Sequence, residues 1–104
     1  LRAAVRKAKA LGIPVAAATD GSYAEGDDTG RIRVAHDIEL LVQACGFTPL
    51  EAISAATANG AAVLDVAART GTVMVGKEAD LVVLDRDPLQ DTTVLFEPLV
   101  VVSD

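Results

Sequence analysis

Gly12 stands between two stretches that cannot belong to one element. Before it, Leu1, Ala4, Val5, Ala8 and Leu11 recur at helical spacing, with Arg2, Arg6 and Lys9 opposite. Residues 1–11 therefore read as an amphipathic helix. Glycine just past the last periodic residue stops such a helix, because it takes left-handed backbone without a Cβ clash. After Gly12, Ile13-Pro14-Val15-Ala16-Ala17-Ala18 is a continuous apolar run too short for a second helix. Such a run predicts a strand buried on both faces, as in a parallel sheet covered by helices. Helix, glycine turn and buried strand make half of a repeating α/β unit.

Residues 19–33 change character. Three glycines and four acids leave no periodicity, so this is a long loop. Loops of this length in compact domains are functional or disordered. This one follows the C-terminal end of the expected strand, where α/β proteins place their ligands. A helix is expected over 34–45, with Ile38, Leu41, Val42 and Cys45 as its apolar stripe and Gly46 as its stop. Thr48-Pro49-Leu50-Glu51 is a capping box with proline at the first helical position, the strongest local signal in the chain. The helix it opens should run from 49 to about 58, where Asn59-Gly60 interrupts it, and a short helix should follow over 61–66. The alanines at 52, 55, 56, 58, 61 and 62 suit close helix packing. Beyond Arg69 the period shortens. Thr72–Val75 and Ala79–Leu84 read as strands joined through Gly76-Lys77, 94–97 as a helical turn, and Leu99–Val102 as a last strand. The expected division is 1–67, an α/β part, and 68–104, a β part.

Composition narrows the function classes. A chain of 104 residues with net charge −6 is one domain or a piece of one, and its acidity argues against nucleic acid or an anionic membrane as partner. No apolar run approaches the ~18 residues of a membrane span. The single cysteine, Cys45, excludes a disulfide framework and a cysteine-rich zinc site, and fits a reduced, cytoplasmic compartment. Aromatics are only 3%, so the core must be built largely from alanine and valine. Each such burial contributes little at ~25 cal/mol per Å2. The chain also opens inside a helical pattern at Leu1 rather than at Met. Together these point to a fragment of a larger fold or an obligate oligomer.

Asp20 is the leading candidate for chemistry. At the end of a buried strand a carboxylate can bind a divalent metal or carry a proton, although Asp-Gly is also a common turn pair. His36 is the only histidine, and one His with one Asp cannot complete a zinc site. Ser22, His36 and Asp20 would supply a triad by composition, but no nucleophile-elbow pattern supports it. Tyr23, Arg31 and Arg33, in or beside the loop, are candidate substrate contacts. Cys45 is expected to be a buried structural thiol. Gly71 to Glu78 imitates a phosphate loop, but Glu78 stands where Ser or Thr is needed and a strand follows where a helix must begin. Asp80, Asp85, Asp87 and Asp91 do not have calcium-loop spacing.

Taken in order, several segments form a more specific pattern. They are Ala18-Thr19-Asp20, His36-Asp37-Ile38-Glu39-Leu40-Leu41-Val42-Gln43-Ala44-Cys45-Gly46, Thr48-Pro49-Leu50-Glu51-Ala52-Ile53, Gly76-Lys77-Glu78-Ala79-Asp80-Leu81-Val82-Val83-Leu84 and Asp87-Pro88-Leu89. This sequence resembles the C-terminal part of the amidohydrolase superfamily, in its imidazolonepropionase-like and Xaa-Pro dipeptidase (prolidase) branch. The resemblance covers nearly the whole chain. It implies a (β/α)8 metal-dependent hydrolase with an attached β-sandwich. Residues 13–20 would be the eighth barrel strand, 34–66 the last helices, and 70–104 strands of the sandwich. Asp20 would be the family aspartate, a metal ligand that also shuttles the proton of the attacking water. The cofactor implied is a divalent metal, zinc, in the complete enzyme. The family's His-x-His pair, its bridging lysine and its two later histidines have no counterpart here, so no metal is expected on the isolated chain.

Three readings follow. The first is a fragment of an enzyme that hydrolyses C–N bonds of a dipeptide, acylated amino acid or related small molecule through metal-activated water, inactive alone and partnered by the missing N-terminal barrel portion. The second is a non-catalytic module that associates with itself. The third is an independent esterase or lyase using Asp20 and His36.

Overall fold

The computed structural model describes residues 1–19 and 33–103. Four helices come first: α1 (Arg2–Ala10), α2 (Arg33–Cys45), α3 (Pro49–Ala56) and α4 (Ala58–Val63). Two short strands follow, β1 (Leu81–Val83) and β2 (Val100–Val102), with a 3-10 helix over Thr92–Phe96 between them. The helices over the middle of the chain and the closing strands follow the expected order, without the strand expected between α1 and α2.

Gly12 stops α1 as its position implies. It takes φ +71°. Its N–H donates to Lys9 O at 2.9 Å and that of Ile13 to Ala8 O at 3.0 Å, the paired bonds of a Schellman motif. The apolar face of α1 is not buried, and only Val5 reaches the core. The core lies between α2 and α3: Ile38, Leu41 and Cys45 pack on Phe47, Ala52 and Ala55. Ala52 and Ala55 are wholly buried, which lets the two helix backbones approach closely. Val94 is buried as well, and Leu95 packs against the core, so the 3-10 helix closes over α2.

The capping box forms in full. Thr48 Oγ1 accepts from Glu51 N at 3.2 Å, and Glu51 Oε2 accepts from Thr48 N at 2.8 Å. Lys9 then clasps α1 to this turn. Its ammonium donates to Gly46 O at 2.6 Å, pairs with Glu51 at 2.9 Å and sits 5.3 Å from the Phe47 ring centre.

Five expectations are corrected. Residues 13–18 are not a strand buried on both faces. The run is irregular, Ile13 is 53% exposed, and Ala18 is also exposed. A ladder needs a neighbouring strand, and the described residues place only helices beside this run. The helical break falls at Thr57, not at Asn59-Gly60, which lie inside α4. Thr57 Oγ1 donates back to Ile53 O at 2.8 Å, a side-chain bond of the kind that bends helices. The helix expected over 61–66 ends at Val63, because Asp65 takes the left-handed position at φ 58° and the Val66 N–H turns back to Ala61 O. Thr72–Val75 is not a strand either. Gly71 and Gly76 both have positive φ, and Val73, Met74 and Val75 are exposed without a ladder partner among the described residues. The strand expected over 79–84 shortens to β1. It pairs antiparallel with β2 in the register Leu81↔Val102, Val82↔Val101, Val83↔Val100, and all six residues are exposed.

Candidate functional site

The 13–19 segment is irregular and is tied to the helices by hydrogen bonds from alternate residues. Asn59 Nδ2 donates to Val15 O at 2.8 Å. Ala17 N donates to Ala55 O at 2.9 Å. Thr19 Oγ1 donates to Asp37 Oδ2 at 2.7 Å. The side chains of Val15 and Ala17 pack on the α2–α3 core. The run thus keeps a strand's period of two while satisfying its backbone on helices. Asn59, read from sequence as a helix breaker, is one of its anchors. Asp37, which no spacing rule singles out, is another.

Asp20 and Tyr23, the two candidate site residues, lie outside the described residues, as do Ser22, Arg31 and the Arg33 side chain. The described segment ends at Thr19, directly before Asp20. His36 is exposed on α2, with Nδ1 3.9 Å from Glu39 across one helical turn, as expected of a surface histidine. Cys45 is a buried free thiol in the core. Among the described residues no three His, Cys, Asp or Glu side chains converge on a common point, so these residues do not fit a metal by themselves.

The remaining polar groups build turns. Lys77 donates to Ala67 O and Thr72 Oγ1, each at 2.6 Å, closing the loop that Gly71 opens. Arg69 pairs with Glu78 at 2.7 Å, and Thr70 donates to Asp80. Asp87 accepts from Leu89 N at 2.8 Å. Asp91 caps the 3-10 helix by accepting from the Thr93 hydroxyl and N–H, and pairs with Arg86 at 3.1 Å. These bonds hold the Asp91 carboxyl below its ordinary value, the Thr93 hydroxyl contributing most. Glu51 is likewise held low, first by the Thr48 N–H and then by Lys9. An open concavity of about 730 Å3 lies between α3, α4 and residues 70–82, with Ile53, Leu64, Val73 and Leu81 on its walls. Among the described residues no helix is long and apolar enough to cross a membrane.

Helices packed around a tethered apolar run, followed by a short antiparallel pair, make a mixed α and β fold. The sequence model of the amidohydrolase family matches residues 2–103, and the chain belongs to that family. It is 41% identical to ochratoxinase of Aspergillus niger over 88 residues, which are 84% of this chain and 17% of that protein. It is 43% identical to imidazolonepropionase of Pyrobaculum arsenaticum over 75 residues, 72% of this chain and 18% of that one. Among solved structures, that of a candidate prolidase from Bifidobacterium longum matches with TM-score 0.84 and 38% identity, covering 98% of this chain and 24% of the other. The chain thus spans about a fifth of the length of these relatives.

Proposed function

We propose that this chain is the C-terminal part of a metal-dependent amidohydrolase that cleaves a C–N bond in a small molecule, a dipeptide or an acylated amino acid. In the complete enzyme, residues 13–20 are the last barrel strand, α2 to α4 cover it, and residues 68–104 belong to a β-sandwich. Among the described residues no strand pairs with 13–19, as expected of a run whose strand neighbours lie in the rest of the enzyme. The apolar surfaces of Val73–Val75, β1 and β2 support it as well. The missing N-terminal portion of the barrel is the partner that covers them.

Members of this family generally depend on a metal ion, whose chemistry is to polarise a carbonyl and activate water. The His-x-His pair, bridging lysine and two later histidines that the resemblance calls for have no counterpart in this sequence, so those ligands would come from the rest of the complete enzyme. This chain's own contribution is Asp20, which takes a proton from the attacking water and returns it to the leaving nitrogen. Tyr23, three residues further on, contacts the substrate. The observation that carries the reading is the family match over residues 2–103, which takes in the Thr19-Asp20 pair. In the complete enzyme, Asp20→Asn should lower kcat at least about a hundredfold, the usual worth of a positioned acid–base group. Wild-type turnover in that variant overturns the reading.

A second reading is favoured by one observation. Val82 and Val101 face each other across the β1–β2 pair and are 52% and 62% exposed. Such a surface also suits self-association into a non-catalytic assembly. Native mass spectrometry of the 104-residue chain decides: a single defined oligomer favours assembly, a monomer favours the enzyme fragment.

A further inference from the structure

Among the described residues three bonds tie positions 15–19 to α2, α3 and α4, and two of them are neutral and run to α3 and α4. The third is different. Thr19 Oγ1 donates to the carboxylate of Asp37 at 2.7 Å, in half-buried surroundings. A hydroxyl–carboxylate bond this short is charge-assisted, roughly twice as strong as a neutral one. Asp37 is the fifth residue of α2 and lies beyond its first turn, so capping its own helix does not account for it. Thr19 is the residue directly before Asp20 in sequence, and it is the last described residue ahead of it.

We propose that Asp37 is a positioning residue for Asp20: through the Thr19 hydroxyl it anchors the residue that directly precedes Asp20 in the chain. This rests on the role given to Asp20 above. The bond is separable from simple docking of the segment. The Val15 and Ala17 tethers and their core contacts remain when it is lost.

The test is a double-mutant cycle in the complete enzyme, assayed with Xaa-Pro dipeptides and N-acetyl amino acids. Thr19→Val and Asp37→Ala should each lower kcat about tenfold with KM within about twofold, the pattern of a misplaced reacting group. The double variant should lose no more than the worse single one, because both remove one bond. Thr19→Ser and Asp37→Asn keep a donor and an acceptor, and should return kcat to within about threefold of wild type. Thermal midpoints of all five should stay within about 2 °C of wild type. Multiplicative losses in the double variant, no rescue by the conservative pair, or kcat losses that track falling midpoints overturn the proposal. Asp20→Asn separates the two failures. If it is inactive while Thr19→Val and Asp37→Ala are not impaired, only the positioning role falls. If it is active, or if wild type hydrolyses neither substrate class, the functional reading falls and takes the positioning role with it.

Discussion

The α2–α3 region and the β1–β2 region are both rich in apolar side chains, yet they end in opposite circumstances. In the first, Ile38, Leu41, Cys45, Phe47, Ala52 and Ala55 bury one another. In the second, every residue of both strands is exposed, and the region meets the core chiefly through Val94 and Leu95. Two helices joined by a short turn can cover each other's stripes. A two-stranded ribbon has two faces and two edges, and a single pairing satisfies one edge of each strand. Apolar sequence therefore sets the demand for burial, while the number of neighbours sets whether it is met.

The comparison can be tested by removing contacts on either side of it. The largest effect is expected for Ile38→Ala, which should destabilise the chain by about 3 kcal/mol in urea denaturation. A loss as small as that of a surface substitution would mean that the α2–α3 core does not hold the chain together. Gly71→Ala probes the seam between the regions. An added Cβ would lie 2.5 Å from Ala61 Cβ, on backbone at φ +93°, so about 2 kcal/mol should be lost by the same measurement. Thr48→Ala removes the cap of α3 and should cost about 1 kcal/mol, with helicity by circular dichroism falling in step.

Val82→Ala should change the stability of the 104-residue chain by less than about 0.5 kcal/mol, since the side chain is half in water. In the complete enzyme the same substitution should cost more than about 1 kcal/mol, if a partner segment covers β1. Equal small effects in both would remove the case for a covered ribbon. The subtlest effect is one of pH. The Glu51 carboxyl is held below 4.5 by the Thr48 N–H and then by Lys9. Its contribution is therefore present above pH 4.5 and fades as the pH falls through and below that value. Glu51→Gln should flatten the acid limb of the stability curve there. An unchanged acid limb would show that the box does not depend on the ionised carboxylate.

Much of the helical half was legible in advance because its signals are local. The α2 stripe, the Thr48–Glu51 box and the Gly12 stop each lie within one or two helical turns, and all three form. Signals that need a remote partner were misread. Asn59 looked like a breaker and is an anchor, because its partner Val15 is 44 residues away. The valines of 72–75 looked like a strand, but no ladder partner stands beside them among the described residues. Of the candidate site, the family pattern around Asp20 was legible, while Asp20 and Tyr23 themselves lie outside the described residues. The Thr19–Asp37 bond spans 18 residues and joins two elements that no periodicity relates.

The sequence by itself determined where α2 and α3 begin, which face α2 buries, and the family to which the chain belongs. Those depend on neighbours within a few residues and on a pattern of residues read in order. Only the tertiary structure decided that the apolar run after Gly12 is tied to helices and pairs with no strand among the described residues. It also decided that Asn59 and Asp37 hold that run, and that the closing strands leave their apolar faces in water. These outcomes turn on which groups meet across long separations, and hydrogen bonds and burial are satisfied by whatever partner the fold brings near.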